Sequence, residues 1–205
     1  MNQHEIVEHH QTCNAAKKQE GSMIHRIMSK LFSPFKEELI DYTGKGLTEL
    51  NGQQKLLSGN WKDLLINGQA FLGANSKVTT FRKILVVNGN LQAQNCHFDL
   101  LDVRGSFKVN DCVLKLKGIF FGNGQMKSCT TKDLHLKSPG GHLVIKNSTV
   151  DGDVTYSAMG HMFGGLTLDN AIVSGHVITT KEDRNKVQVI NSPGSIKFKE
   201  VEKTN

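Results

Sequence analysis

The residues of this 205-residue chain that could do chemistry are four cysteines, nine histidines and a basic excess. Zinc binding needs thiolates and imidazoles in closely spaced pairs. His4, His9, His10 and Cys13 crowd the N-terminus without such pairing, and His97, His135, His142, His161 and His176 are scattered. A catalytic histidine needs a Ser, Cys or Asp partner, which no spacing here supplies. Cys96 and His97 are adjacent in an apparent strand, where neighbouring side chains point to opposite faces. Asp151-Gly152-Asp153 is the closest pair of carboxylates for acid–base work and reads as two sides of a solvated corner. Gly122-Asn123-Gly124 and Gly164-Gly165 lack the helix start that a phosphate loop uses. The expectation is a protein that is not an enzyme, with no catalytic residues, no cofactor and no metal.

Charge is the remaining chemistry. Residues 1–55 carry seven basic and seven acidic groups, so the formal net charge of +6 belongs to the rest. Arg104, Lys108, Lys115, Lys117, Lys127, Lys132, Lys137 and Lys146 are opposed nearby only by Asp111 and Asp133. They form a candidate basic interaction face for anionic lipid or an acidic protein. Nucleic acid is disfavoured, because Phe120 and Phe121 are the only aromatic pair near these cations. Lysines on outward strand positions also guard sheet edges and keep a repeat protein soluble.

The elements that position these groups fall into two textures. Residues 1–22 are polar and aperiodic and read as a disordered tail. Met23, Ile24, Ile27, Met28, Leu31 and Phe32 recur at helical spacing, and Ser33-Pro34 can start a second short helix. One or two short amphipathic helices therefore occupy 23–55, as a cap on the following domain, a reversible membrane anchor or an insert for a partner's groove. No apolar run is long enough to span a membrane and no signal-peptide h-region follows the start. The expected location is cytoplasmic, peripheral on the inner face of the membrane where the helix anchors.

From residue 56 to 200 the chain reads as all-β. A template apolar-x-apolar-x-Asn-x-x-apolar starts at Leu91, Phe107, Gly124 (degenerate), Leu143, Leu166 and Val187, the last broken off at Pro193. Val150-Asp151-Gly152-Asp153-Val154 matches Val173-Ser174-Gly175-His176-Val177. Related strand–Gly–strand pieces lie at 66–70, 87–91 and 103–107. Such repeats suit a parallel β-solenoid (β-helix) better than a sandwich, because stacked coils repeat one register. Six to seven coils are expected, followed by a tail at 201–205. Cys96, Cys112 and Cys129 each follow the template Asn, Asp or Ser, so they should stack as an inert column of small buried side chains. Lys115 and Lys132 share one template position, and Lys127 and Lys146 another.

A disordered N-terminus, the apolar-basic stretch Ile27-Met28-Ser29-Lys30-Leu31-Phe32 and a one-domain solenoid with strand–Gly–strand corners together resemble the bactofilins. The resemblance implies a bacterial cytoskeletal scaffold that polymerises end to end without nucleotide and is bound to the inner membrane by its N-terminal stretch. The insertions at 157–165 and 181–186, the uneven coil length and Pro193 depart from that pattern. They favour the alternative, a monomeric adaptor in a larger bacterial assembly, for example a secretion-related one. The partner is thus a protein, the chain itself or an anionic membrane surface.

Overall fold

A computed structural model describes residues 48–73, 78–160 and 162–202, with the backbone alone at 85–88. The tail at 1–22 and the amphipathic residues Met23 to Phe32 lie outside the described residues. The chain from Thr48 onward is a parallel β-solenoid of about nine coils with almost no helix.

Each coil contributes strand to three sheets in turn. The first sheet is built from β1 (Thr48–Asn51), the second half of β3 (Asn60–Asn67) and segments of β5 (Thr79–Gln94), β6 (Cys96–Asn110), β7 (Val113–Lys127) and β8 (Thr130–Lys137). It continues through β11 (Val154–Ser157), β14 (His176–Thr180) and β16 (Lys197–Val201). The second sheet stacks β2 (Gln54–Leu56), β4 (Ala70–Leu72), later segments of β5, β6 and β7, then β9 (His142–Lys146), β12 (Gly165–Asp169) and β15 (Val187–Ile190). The third uses the starts of β3, β5, β6, β7 and β8, then β10 (Thr149–Val150) and β13 (Ile172–Val173).

The repeat template survives in three dimensions. Leu91 pairs with Phe107, Phe107 with Gly124, Gly124 with Leu143, Leu143 with Leu166 and Leu166 with Val187. Alternate residues point inward, so stacked coils turn one apolar position into a column. Phe81 and Phe98 stack face to face at 5.1 Å, a contact worth ~0.5–1.5 kcal/mol beyond area burial. Phe107 leans on Phe120 at 4.3 Å. It also fills the place of a side chain at Gly124, where a Cβ would lie 2.8 Å from its ring.

Three kinds of corner separate the sheets. Between the first and second, Gly52, Gly68, Gly89, Gly105 and Gly122 stack so tightly that a Cβ at Gly105 would lie 2.1 Å from the Gly89 carbonyl oxygen. Only glycine fits there. The same corner widens farther along the chain, into the turn at Ser138–Gly141, the residues 158–160 and 162–164, and the short helix α1 (Lys181–Arg184). Between the second and third sheets, Asn95, Asp111, Ser128, Asn147, Asn170 and Asn191 all have φ between 49° and 55°. Asn and Asp tolerate this left-handed geometry because a short polar side chain can bond locally. The third corner carries Gly152 and Gly175.

Four expectations need correction. The coils number about nine rather than six to seven, because Thr48–Asn51 and Gln54–Leu56 already form strand within the segment assigned to a helical cap. Pro193 does not end the stack, since β16 adds a further rung of the first sheet by pairing with β14 and runs to Val201. The strand–Gly–strand pieces belong to two different corners. Of the two carboxylates beside Gly152, Asp151 is exposed as expected, but Asp153 is not simply solvated. Asp133 Oδ1 accepts the Asp153 N–H at 3.0 Å, and Asp153 Oδ1 accepts the His176 N–H at 2.7 Å, so each ties its corner to the next coil.

Candidate functional site

The most structured polar surface lies on the outer side of the second sheet. The template alternates apolar with polar, so Gln94, Lys108, Asn110, Gln125, Lys127 and Lys146 point outward from three adjacent coils plus the one before them. With Asp111 and Ser128 from the neighbouring corner they line an open cavity of about 460 Å3. Lys127 stands opposite Lys146 in register. The Lys146 ammonium donates to Asp169 Oδ2 at 2.6 Å, and Asp169 Oδ1 accepts from Asn191 Nδ2 at 3.2 Å. The hydrogen bond from Lys146, then that from Asn191, holds the Asp169 carboxyl below its usual range. Lys108 and Lys127 are exposed, with no carboxylate at ion-pair distance among the described residues. This surface can hold oxyanions and hydroxyl groups.

The eight basic residues anticipated as one face are divided among three parts of the coil. Lys108, Lys127 and Lys146 lie on the second sheet. Arg104 and Lys137 end strands of the first sheet, where Arg104 meets Asp102 at 3.3 Å. Lys115, Lys117 and Lys132 sit at or beside the third corner, with Lys115 3.6 Å from Asp99 and Lys117 in register with Asp133. Sequence density placed them together, whereas a coil of three sheets sends residues a few positions apart out of different sides. The shared position of Lys127 and Lys146 is reproduced as register. Lys115 and Lys132 fall within the register shift between Leu114 and Lys117. The amides Gln94, Asn110 and Gln125 were missed. Their signal was present as polar residues between the apolar positions of the template.

The cysteines stack as expected, and their column extends further. Cys96, Cys112, Cys129, Ser148, Ala171 and Ser192 each follow the left-handed corner residue. Their side chains donate to the carbonyl two residues back: Cys96 to Gln94 at 3.3 Å, Cys112 to Asn110 at 3.0 Å, Cys129 to Lys127 at 3.2 Å and Ser148 to Lys146 at 2.8 Å. They also accept backbone N–H groups from the coil before. Cys112 Sγ accepts from Cys96 at 3.4 Å, Ser148 Oγ from Cys129 at 3.1 Å and Ser192 Oγ from Ala171 at 3.1 Å. The hydrogen bond with Cys129 lowers the Cys112 pKa, but that with Cys96 and burial outweigh it, and the thiol is pushed up to about 12. The hydrogen bond with Cys112, then burial, push the Cys129 thiol up as well. Neutral thiols replaceable by serine are structural links, not nucleophiles. No group of metal-ligating side chains assembles among the described residues.

Among the described residues the histidines do not converge. His142 Nε2 lies 2.8 Å from Thr167 Oγ1, and His176 Nδ1 3.7 Å from Asp153 Oδ1. In the wide glycine corner, Met162 and Phe163 are exposed by more than four fifths. Ala158 is anchored by Asp183 of α1, whose Oδ2 accepts the Ala158 N–H at 3.0 Å and whose Oδ1 meets Lys186 at 2.9 Å. No family model, curated protein or solved structure matches this chain. Among the described residues no helix is long and apolar enough to cross a membrane.

Proposed function

We propose that this chain is a non-enzymatic scaffold, a rod of stacked coils that self-associates end to end as the resemblance to bactofilins implies. The observation that carries the reading is the state of the terminal strands. Among the described residues β1 and β2 at one end, and β15 and β16 at the other, are paired on one side only. Lys197 and Lys199 guard the β16 edge, whereas β15 (Val-Gln-Val-Ile) leaves Val189 and Ile190 more than 40 % exposed. An unguarded apolar edge is a template for another strand. Peripheral membrane attachment through Met23 to Phe32 completes this proposal.

The alternative, a monomeric adaptor, is favoured by the exposed Met162-Phe163 pair, since such side chains anchor protein interfaces. It is also favoured by Arg184, which lies 3.5 Å over the Phe198 ring and covers part of the last coil.

Negative-stain microscopy with light scattering across a salt series separates the two. Filaments lost in Val189→Lys support the scaffold. A monomer of 22.7 kDa at every salt and protein concentration refutes self-assembly, and Phe163→Ala then becomes the variant to test. Sedimentation with anionic vesicles, unchanged on deleting residues 1–33, would refute the anchor.

A further inference from the structure

The second-sheet cavity combines groups that no single simple ion satisfies. Lys108 and Lys127 offer ammonium donors, and neither makes an ion pair among the described residues. Asp111, exposed at the rim, presents a carboxylate that repels a bare anion and wants a hydrogen-bond donor. Gln94 and Gln125 provide amides able to donate and accept at once. A ligand complementary to all of these carries an anionic oxygen group together with hydroxyl donors. No aromatic side chain lines the cavity, so it has no platform for a nucleobase. The lining comes from successive rungs ~4.8 Å apart, close to the advance of one sugar unit in an extended chain. About 460 Å3 lies within the range of small-ligand sites.

We propose that this cavity binds an acidic saccharide, a uronate-type sugar whose carboxylate meets Lys127 and Lys108 and whose hydroxyls bond to Asp111 and the glutamine amides. This goes beyond the scaffold reading and does not depend on it: a monomer and a filament present the same cavity, the filament as a periodic array.

The test is titration calorimetry of the full chain with trigalacturonate, with maltotriose as the neutral control, and with inorganic phosphate and oligo-dT at matched ionic strength. Trigalacturonate is expected to bind at least about tenfold more tightly than the other three, and Lys127→Gln to weaken it about tenfold or more. Lys62→Gln, exposed and outside the cavity, should change nothing. Asp111→Asn supplies the sharper readout. Removing a negative charge strengthens any merely electrostatic attraction, whereas exchanging one carboxylate oxygen for an amide N–H, which cannot accept from a hydroxyl, weakens saccharide binding. Both Lys127 and Asp111 are exposed, and asparagine suits the left-handed φ of 52° at position 111, so folding is not at stake. The proposal is overturned by no trigalacturonate binding at millimolar concentration or by phosphate binding equally well. It is also overturned by tighter binding to oligo-dT, by equal losses in Lys62→Gln and Lys127→Gln, or by tighter trigalacturonate binding in Asp111→Asn.

Discussion

Replacing Ser148 by alanine tests whether the small-residue column is a set of coil-to-coil links or mere filler. The Ser148 hydroxyl accepts the Cys129 N–H at 3.1 Å and donates to the Lys146 carbonyl at 2.8 Å. Ser148 is 3 % exposed and Cys129 2 %, so water cannot replace the lost acceptor. Removing a hydroxyl leaves almost no cavity, and the cost is that of a buried N–H without a partner plus one modest hydrogen bond, ~1–3 kcal/mol. Ser148→Cys should recover most of it, since Cys112 Sγ performs the same acceptance from Cys96 two steps along the stack. Equilibrium urea unfolding is the assay, with the midpoint falling and the slope unchanged. A Ser148→Ala variant within about 0.5 kcal/mol of the parent, below that range, would refute the linkage. So would a Ser148→Cys variant no better than Ser148→Ala.

Three further outcomes are expected. Gly105→Ala, with φ of +148° and a Cβ 2.1 Å from backbone, should cost about 3 kcal/mol or more by overpacking. Gly140→Ala, with φ of +91° and open space around it, should cost only ~1 kcal/mol of strain, and thermal melts of the two variants make the comparison. The folded-state pKa of the Cys112 thiol is pushed up to about 12, above the ~8.5 of an unfolded thiol. Its contribution is therefore fully present below that value and is lost as pH rises toward 12, at about 1.4 kcal/mol per pH unit. Urea midpoints at pH 7 and 10 should show the loss, and Cys112→Ser should reduce it, the raised Cys129 thiol supplying the remainder. Tyr156 is fully buried, its hydroxyl has no hydrogen-bond partner among the described residues, and burial, then the charge of Asp183, raise its pKa. Tyr156→Phe should leave the melting temperature unchanged or raise it, by up to ~1 kcal/mol of stability; a clear fall would reveal a partner for the hydroxyl.

The solenoid was legible from Leu91 onward because one corner demands a left-handed residue, and Asn, Asp or Ser answers that demand in every copy. The earliest coils were hidden because their corners use Gly59 and Gly73 instead, and glycine marks turns of many kinds. Of the widened corners, the insertions at 157–165 and 181–186 were legible, and the turn at 138–141 was not. Nor was it legible that they stack on one side, since periodic pattern gives spacing along the chain and no direction around the coil. The same limit scattered the eight basic residues. Lys127 and Lys146 stayed together because they share a template position, whereas Arg104 and Lys108, four residues apart, ended on different sheets across the Gly105 corner.

Each coil touches only the coils above and below it, which makes the molecule behave like a zipper with two unequal ends. The last coils are latched, because Asp183 reaches back to the Ala158 amide and Arg184 covers Phe198. The first rung, β1, is mostly exposed, and the side-chain hydrogen bonds from Asn67 Nδ2 to its Glu49 and Asn51 are exposed to water. Opening should therefore start at Thr48 and travel inward, with amide exchange fastest there, slowest through the stacked phenylalanines and intermediate toward Val201.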